Sequence, residues 1–334
     1  MNKDTLVEVA GLKTYFFTDE GVVKSVDGVS FAIKKGKTLC VVGESGCGKS
    51  ITARSILRLI DPPGKIVEGS IKMRKTDGTE LDITALSPKS PEIRNVRGAE
   101  ISMIFQEPMS SLSPVHTIGE QVQETIRLHL KLSKEDAKER TVAVLKEVGI
   151  PKAEERYDSY PFQLSGGMRQ RVMIAMALSC KSRLLIADEP TTALDVTTQA
   201  NILDLIRDVQ KEYDMAVMFI THDLGVVAEI ADDAMVMYLG KVVERGPVDA
   251  VFHDPKHPYL VSLLKSIPKL SADRIERLDS IRGMVPHPFN RPKGCPFHPR
   301  CDRVMPGRCD TETPPRVILG PEREVTCFLY EEGK

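Results

Sequence analysis

The stretch Leu39-Cys40-Val41-Val42-Gly43-Glu44-Ser45-Gly46-Cys47-Gly48-Lys49-Ser50 decides how the rest of the chain is read. Four apolar residues form a buried strand, three glycines fall within six positions, and Ile51, Ile56, Leu57 and Ile60 then recur at helical spacing. Strand, glycine-rich loop and helix together cradle phosphate. Glycine lets backbone N–H groups turn inward, and the helix N-terminus adds its positive dipole end. Lys49 brings a cation to the β/γ-phosphates, and the Ser50 hydroxyl can ligate Mg²⁺. Cys47 reads as a small filler in the loop.

Working outward, residues 6–9 and 12–17 alternate as two strands, and 21–28 reads as a turn into a strand over 29–33. Asp61-Pro62-Pro63-Gly64 breaks the chain, a short strand covers 67–73, and residues 101–105 form a second buried strand that delivers Gln106 at its carboxyl end. Ligands of open α/β sheets bind at that end. From Pro108 the period turns helical. Ile118, Val122 and Ile126 share one face, and Ser133 opens a helix with Ala137, Thr141, Val144, Leu145 and Val148 along its apolar stripe, closed by Gly149.

Ser165-Gly166-Gly167 opens another buried helix and forms a second anion-binding start, one that suits a nucleotide held by another chain. Residues 184–188 make a third buried strand ending in Asp188 and Glu189. Strand alternation sends these carboxylates to opposite sides, so Asp188 suits a Mg²⁺ shell and Glu189 the polarisation of an attacking water. Residues 193–195 turn into a helix, and a fourth strand over 216–220 ends in Thr221-His222-Asp223.

The 334 residues carry a net charge of −1 and 41% hydrophobic content, enough for two domains and without the basic excess that nucleic acid or an anionic membrane would attract. No apolar run approaches the ~20 residues of a spanning helix, and the N-terminus has no signal-peptide pattern, so a soluble protein is expected. From Gly283 onward prolines are dense and apolar residues sparse, which on composition alone favours disorder. Cys295, Cys301, Cys309 and Cys327 crowd this tail. Their spacing lacks the close pairs of most zinc sites and leaves an iron–sulfur cluster, zinc, or disulfides and free thiols open, with His298 a substitute ligand.

In order, these motifs resemble those of the ATP-binding subunit of an ABC transporter: Walker A at 43–50, Q-loop at Gln106, signature at 164–170 with Met168 where Gln is usual, Walker B at 184–189, D-loop at 193–195 and H-loop at 221–223. Residues 106–114 and 117–120, with His257-Pro258-Tyr259 and 263–268, are similar to the dipeptide/oligopeptide importer subfamily, Ser113 standing where Asn is common. The resemblance implies an α/β P-loop NTPase core with an antiparallel β subdomain over residues 1–250, a helical subdomain near 108–165, and a small Cys-rich C-terminal domain over 251–334. It further implies a head-to-tail dimer in which ATP lies between Gly43, Glu44, Ser45, Gly46, Cys47, Gly48, Lys49, Ser50, Ile51, Gln106 and Asp188 of one subunit and Ser165, Gly166 and Gly167 of the other. Phe16, or alternatively Tyr15, stacks on the base. Ser50 and Gln106 hold Mg²⁺, Glu189 is the general base, His222 contacts the γ-phosphate, and Asp195 belongs to the D-loop. The implied partners are a second ATPase subunit, paralogue or copy, two transmembrane permeases and, indirectly, a peptide-binding protein, with no nucleic acid, at the cytoplasmic face of the membrane. For Cys295, Cys301, Cys309 and Cys327 the resemblance to the peptide-importer subfamily implies a [4Fe–4S] cluster, with Zn²⁺ as the alternative. The implied function is ATP hydrolysis that energises peptide import. Nickel, glutathione or antimicrobial peptides remain as other cargoes, and a soluble ABC ATPase of DNA or ribosomes as the rival class.

Overall fold

The computed structural model describes residues 1–106, 111–192, 194–266 and 281–331. Glu107 to Ser110, Ala193 and the Ile267-Pro268 pair, all named above, lie outside the described residues. The chain divides into two compact units, one of Met1–Leu6, Ile33–Lys37 and Asp82–Ile220, the other of Val7–Ala32, Thr38–Leu81 and Thr221–Lys334.

The second unit contains the phosphate loop. Its antiparallel sheet has the order β2-β1-β4-β5, with β1 at Thr5–Thr18, β2 at Gly21–Lys34, β4 at Gly64–Arg74 and β5 at Glu80–Asp82. The two strands expected over 6–9 and 12–17 are one. Gly11, in the left-handed region at φ +59°, absorbs a register shift between Ala10 and Lys13 while the β1–β4 ladder continues from Val7↔Met73 to Phe16↔Gly64. The turn expected at 21–28 is likewise the first half of β2, its alternation broken because Val22 is exposed while the polar Ser25 and Asp27 are half-buried.

The same unit holds β3 (Thr38–Val42), wholly buried, parallel to β9 (Asp233–Tyr238) through Leu39↔Asp233 to Val42↔Val236. The ladder continues antiparallel through β10 (Lys241–Pro247), β12 (Arg323–Thr326) and β11 (Arg316–Gly320). Residues 281–331, for which composition alone favours disorder, form β11, β12 and a series of short turns, and they share a compact unit with the phosphate loop. Composition misleads because the tail adds its hairpin to an existing edge and lends a few large apolar side chains to a shared core: Phe297, Val325 and Phe328 are all buried.

In the first unit β6 (Ile101–Ile104), β7 (Leu184–Asp188) and β8 (Ala216–Thr221) form parallel ladders, Ile104↔Ala187 and Asp188↔Ile220 marking their carboxyl ends. Strands buried on both faces need continuous apolar runs, which is what these sequences supply. The helices Ile118–Leu130, Lys134–Glu147, Ala153–Arg156 and Gly166–Leu178 lie between β6 and β7 in the chain. Ser133 caps the second by accepting from Asp136 N–H at 3.1 Å, and Gly149 follows its end at φ +75°, as expected. Thr117 and Glu120 form a reciprocal capping box at the start of the first.

Candidate functional site

Each unit carries one set of the expected groups. In the phosphate loop, the helix Lys49–Ile56 starts from Gly48, whose φ of +100° turns the chain so that no side chain caps the first N–H groups. Lys49 is 5% exposed, and its ammonium donates to the carbonyl oxygens of Gly43 (2.7 Å) and Glu44 (3.2 Å). Ser45 and Gly46 form the exposed tip, and Ser50 and Ile51 are half-buried at the helix start. Cys47 is buried, its thiol held above the usual range by desolvation, which fits the filler role. A Cβ on Gly43 would lie 2.3 Å from the Met237 carbonyl oxygen, so the loop presses directly on the end of β9.

Glu44 is differently placed from its neighbours. Its N–H donates to Tyr259 Oη at 2.8 Å, and its carboxylate receives a two-pronged ion pair from Arg300, Nη1–Oε2 2.6 Å and Nη2–Oε1 3.0 Å. Both polar ends of Glu44 therefore face the C-terminal half of the chain. Sequence reading missed Tyr259 and Arg300 because nothing in their spacing links them to residue 44.

The two aromatic candidates differ as well. Tyr15 Oη donates to Asp27 Oδ1 at 2.7 Å, and Asp27 in turn pairs with Arg291 of the tail at 3.0 Å. Burial and that carboxylate push the Tyr15 phenol up to about 12. Phe16, on the opposite side of β1, is half-buried over Gly64, where a Cβ would meet Phe16 Cε1 at 2.6 Å. Of the pair, Phe16 is the ring without a polar tether. His222 is exposed just after β8, and Asp223 caps the helix Leu224–Ile230 by accepting from Gly225 N–H at 2.8 Å.

In the first unit, β7 delivers Asp188, 1% exposed, and Glu189, 9% exposed. Glu189 sits at φ +48°, a left-handed conformation costly for a side-chain-bearing residue and typical of functional turns. Its Oε2 accepts from Gln106 Nε2 at 3.1 Å and from Thr192 Oγ1 at 3.0 Å. The juxtaposition of Gln106 and Glu189 was expected; Thr192 was not, since a threonine after Pro190 carries no distinguishing signal. Ser165 Oγ accepts from Met168 N–H at 3.3 Å and caps a 13-residue helix, with Ser165 and Gly166 exposed. Gln170, buried in that helix, donates to the Pro190 carbonyl and ties the signature helix to the Walker B turn. Asp195 caps the helix Val196–Tyr213, accepting from Thr198 N–H (2.9 Å) and Oγ1 (2.8 Å), which hold its carboxyl below the usual range.

In the tail, Cys295, Cys301, Cys309 and Cys327 line one pocket together with His257 and His298. All seven cysteines are free thiols. Burial pushes Cys295 and Cys301 up to about 11, so each is a neutral thiol unless a cation compensates. Among the described residues no three His, Cys, Asp or Glu side chains draw together closely enough to hold one ion. Four thiols lining one pocket are the donor set that a thiolate-ligated metal group requires.

The ABC transporter family matches residues 26–192, and the oligopeptide/dipeptide transporter C-terminal region matches residues 243–309. The chain belongs to the ABC transporter family as an ATP-binding subunit, and it is an ATPase. It is 50% identical over 98% of both chains to the oligopeptide transport ATP-binding protein AppD of Bacillus subtilis, and 45% identical over 96% of both to the dipeptide transport ATP-binding protein DppD of Escherichia coli K12. Among solved structures, the dimeric, post-hydrolysis state of the ATP-binding cassette MJ0796 bound to ADP and Pi matches with TM-score 0.64 at 26% identity, covering 73% of this chain and 99% of that one. Among the described residues no helix is long and apolar enough to cross a membrane.

Proposed function

We propose that this chain hydrolyses MgATP at the cytoplasmic face of a membrane to drive import of dipeptides or oligopeptides through permease subunits it does not itself contain. It works head to tail with a second ATP-binding subunit, a paralogue or a second copy. The observation that carries the chemistry is the Gln106–Glu189–Thr192 constellation at the carboxyl end of β7. Two neutral donors orient one carboxylate oxygen without neutralising it, which leaves Glu189 competent to take a proton from an attacking water. Lys49, the loop N–H groups and the helix N-terminus stabilise charge on the phosphates, and Ser50, Gln106 and Asp188 serve Mg²⁺. His222 contacts the γ-phosphate, Phe16 stacks on the base, and the Ser165-Gly166-Gly167 start, exposed at Ser165 and Gly166, presents N–H groups to the partner's nucleotide.

The names of AppD and DppD and the C-terminal family match support peptide cargo, and the dimeric MJ0796 supports the paired arrangement. In the tail, Cys295, Cys301, Cys309 and Cys327 hold a [4Fe–4S] cluster, with Zn²⁺ the rival. When bound it supplies covalent staples to a segment with little core of its own.

The test is labelled-dipeptide uptake in cells lacking the chain, restored with wild type or Glu189→Gln, beside ATP binding and turnover of the purified proteins. Wild type restoring uptake, with Glu189→Gln binding ATP but losing about 10²–10⁴ of turnover, fits the proposal. Normal turnover in that variant removes Glu189 as the base. Restored nickel or glutathione uptake without peptide uptake moves the cargo, and co-purification with nucleic acid in place of membrane subunits moves the class.

A further inference from the structure

A loop carrying three glycines in six residues has many conformations available, and each must be suppressed before its N–H groups can converge on a phosphate. The inner half of this loop is held locally: Cys47 is buried and Lys49 folds back onto the Gly43 and Glu44 carbonyls. The outer half is held by residues more than 200 positions away in sequence. Tyr259 Oη accepts the Glu44 N–H, and Arg300 clamps the Glu44 carboxylate with both terminal nitrogens.

Arg300 is itself fixed from several directions. Its side chain is 4% exposed, its Nε donates to the Arg282 carbonyl at 3.1 Å, and Nη1 reaches Tyr238 Oη at 3.3 Å. The guanidinium also lies about 6 Å from the ring centres of Tyr238 and Phe297. A buried guanidinium with this many fixed partners acts as a rigid fork, and its match to a carboxylate defines both position and orientation. Arg300 directly precedes Cys301, and its N–H donates to Phe297, two residues after Cys295. Phe297 packs edge-on against Tyr238 and tilted against Tyr259, and it lines the four-cysteine cavity. The cavity wall and the loop clamp are thus one short segment of chain.

We propose that the C-terminal extension is a brace for the phosphate loop, with Arg300 a positioning residue for nucleotide binding that acts through Glu44. This rests on the reading of residues 43–50 as the ATP phosphate site. The brace sets how well the loop is preorganised, so it governs affinity for MgATP and leaves the hydrolytic step to the other unit. It also makes loop order depend on the tail being folded around its four thiols.

The experiment compares full-length wild type with Arg300→Met, Arg300→Lys and Glu44→Gln, each checked for folding by circular dichroism and for wild-type metal content. MgATP affinity is measured directly and set beside the KM and kcat of hydrolysis. Losing a buried two-pronged pair is expected to weaken ATP binding at least about tenfold, with KM rising in step and kcat at saturation within about threefold of wild type. Arg300→Lys, which keeps the charge and loses the fork, falls between. The double variant Arg300→Met/Glu44→Gln is no worse than the poorer single, because both remove one interaction. Should Arg300→Met not fold, Arg300→Lys alone decides, since it keeps the buried charge and removes only the fork. Unchanged affinity in a folded variant, or a fall in kcat at constant KM, overturns the brace. Wild type that fails to bind ATP, or a Lys49→Ala variant that binds as tightly, overturns the phosphate-site reading instead.

Discussion

Replacing Gly48 by alanine separates two reasons for a glycine in the phosphate loop. Gly48 has φ +100° and Gly46 φ +79°, so alanine at either position bears a comparable conformational penalty of about 1–2 kcal/mol. The surroundings differ. A Cβ on Gly46 meets nothing within 4 Å, whereas one on Gly48 falls 2.2 Å from the Ser25 carbonyl oxygen, a backbone atom of β2 that cannot rotate away. The same carbonyl lies 2.7 Å from a Cβ built on Gly240, whose N–H donates to Cys47 at 2.8 Å, so the loop is wedged between β2 and the β9–β10 turn. Overpacking of this kind costs about 1–3 kcal/mol beyond the backbone term. The loop relieves it by backing away from β2, and the phosphate cradle moves with it. Titration calorimetry with MgATP should therefore show Gly48→Ala binding roughly 5- to 150-fold more weakly than Gly46→Ala. Equal losses in the two variants would refute the claim that contact with Ser25, and not dihedral freedom alone, requires glycine at position 48.

Thr192→Val removes one of the two donors to Glu189 while keeping side-chain shape, and is expected to lower kcat roughly tenfold with ATP affinity unchanged, read by steady-state ATPase assay. His257, fully buried at the start of the helix Pro258–Lys265, is pushed down to about 3 by desolvation. Its folded value lies below its unfolded one near 6.5, so the unfolded chain binds the extra proton and stability is lost as pH falls below about 6.5, by roughly 1.4 kcal/mol per pH unit. Asn at position 257 keeps an acceptor for the Tyr259 N–H and should flatten that acid limb in urea unfolding measured from pH 7.5 to 5; an unchanged slope would exclude His257 as its source. Anaerobic protein should show broad absorbance near ~400 nm with about four irons per chain, lost when all four tail cysteines become serine. A colourless protein with one zinc would replace the cluster.

Much of the chemistry was legible in the sequence because it resides in short, contiguous motifs. A glycine-rich loop needs its strand before and its helix after, and strand ends at 106, 189 and 222 announce themselves by where apolar runs stop. The structure then joins Gln106 to Glu189 through 3.1 Å, because β6 and β7 are neighbouring parallel strands whose carboxyl ends lie side by side. Local pattern failed in β2, where an exposed Val22 and half-buried Ser25 and Asp27 break the alternation, and where Gly11 let one long strand look like two.

The sequence by itself determined the family and the ATPase chemistry and named the candidate residues for it, since a backbone cradle for phosphate depends on residue types at fixed short spacing. Tertiary structure alone decided that Glu44 is turned toward Arg300 and Tyr259, that Tyr15 is tethered to Asp27 and Arg291, and that the proline-rich tail adds its hairpin to β10. Those contacts join residues 256, 215, 12 and 264 positions apart. Pairings across such separations arise from sheet order and shared burial, in this case the addition of β12 to β10 and the packing of Phe297 among Tyr238, Tyr259 and His257, and a local pattern of residues does not encode them.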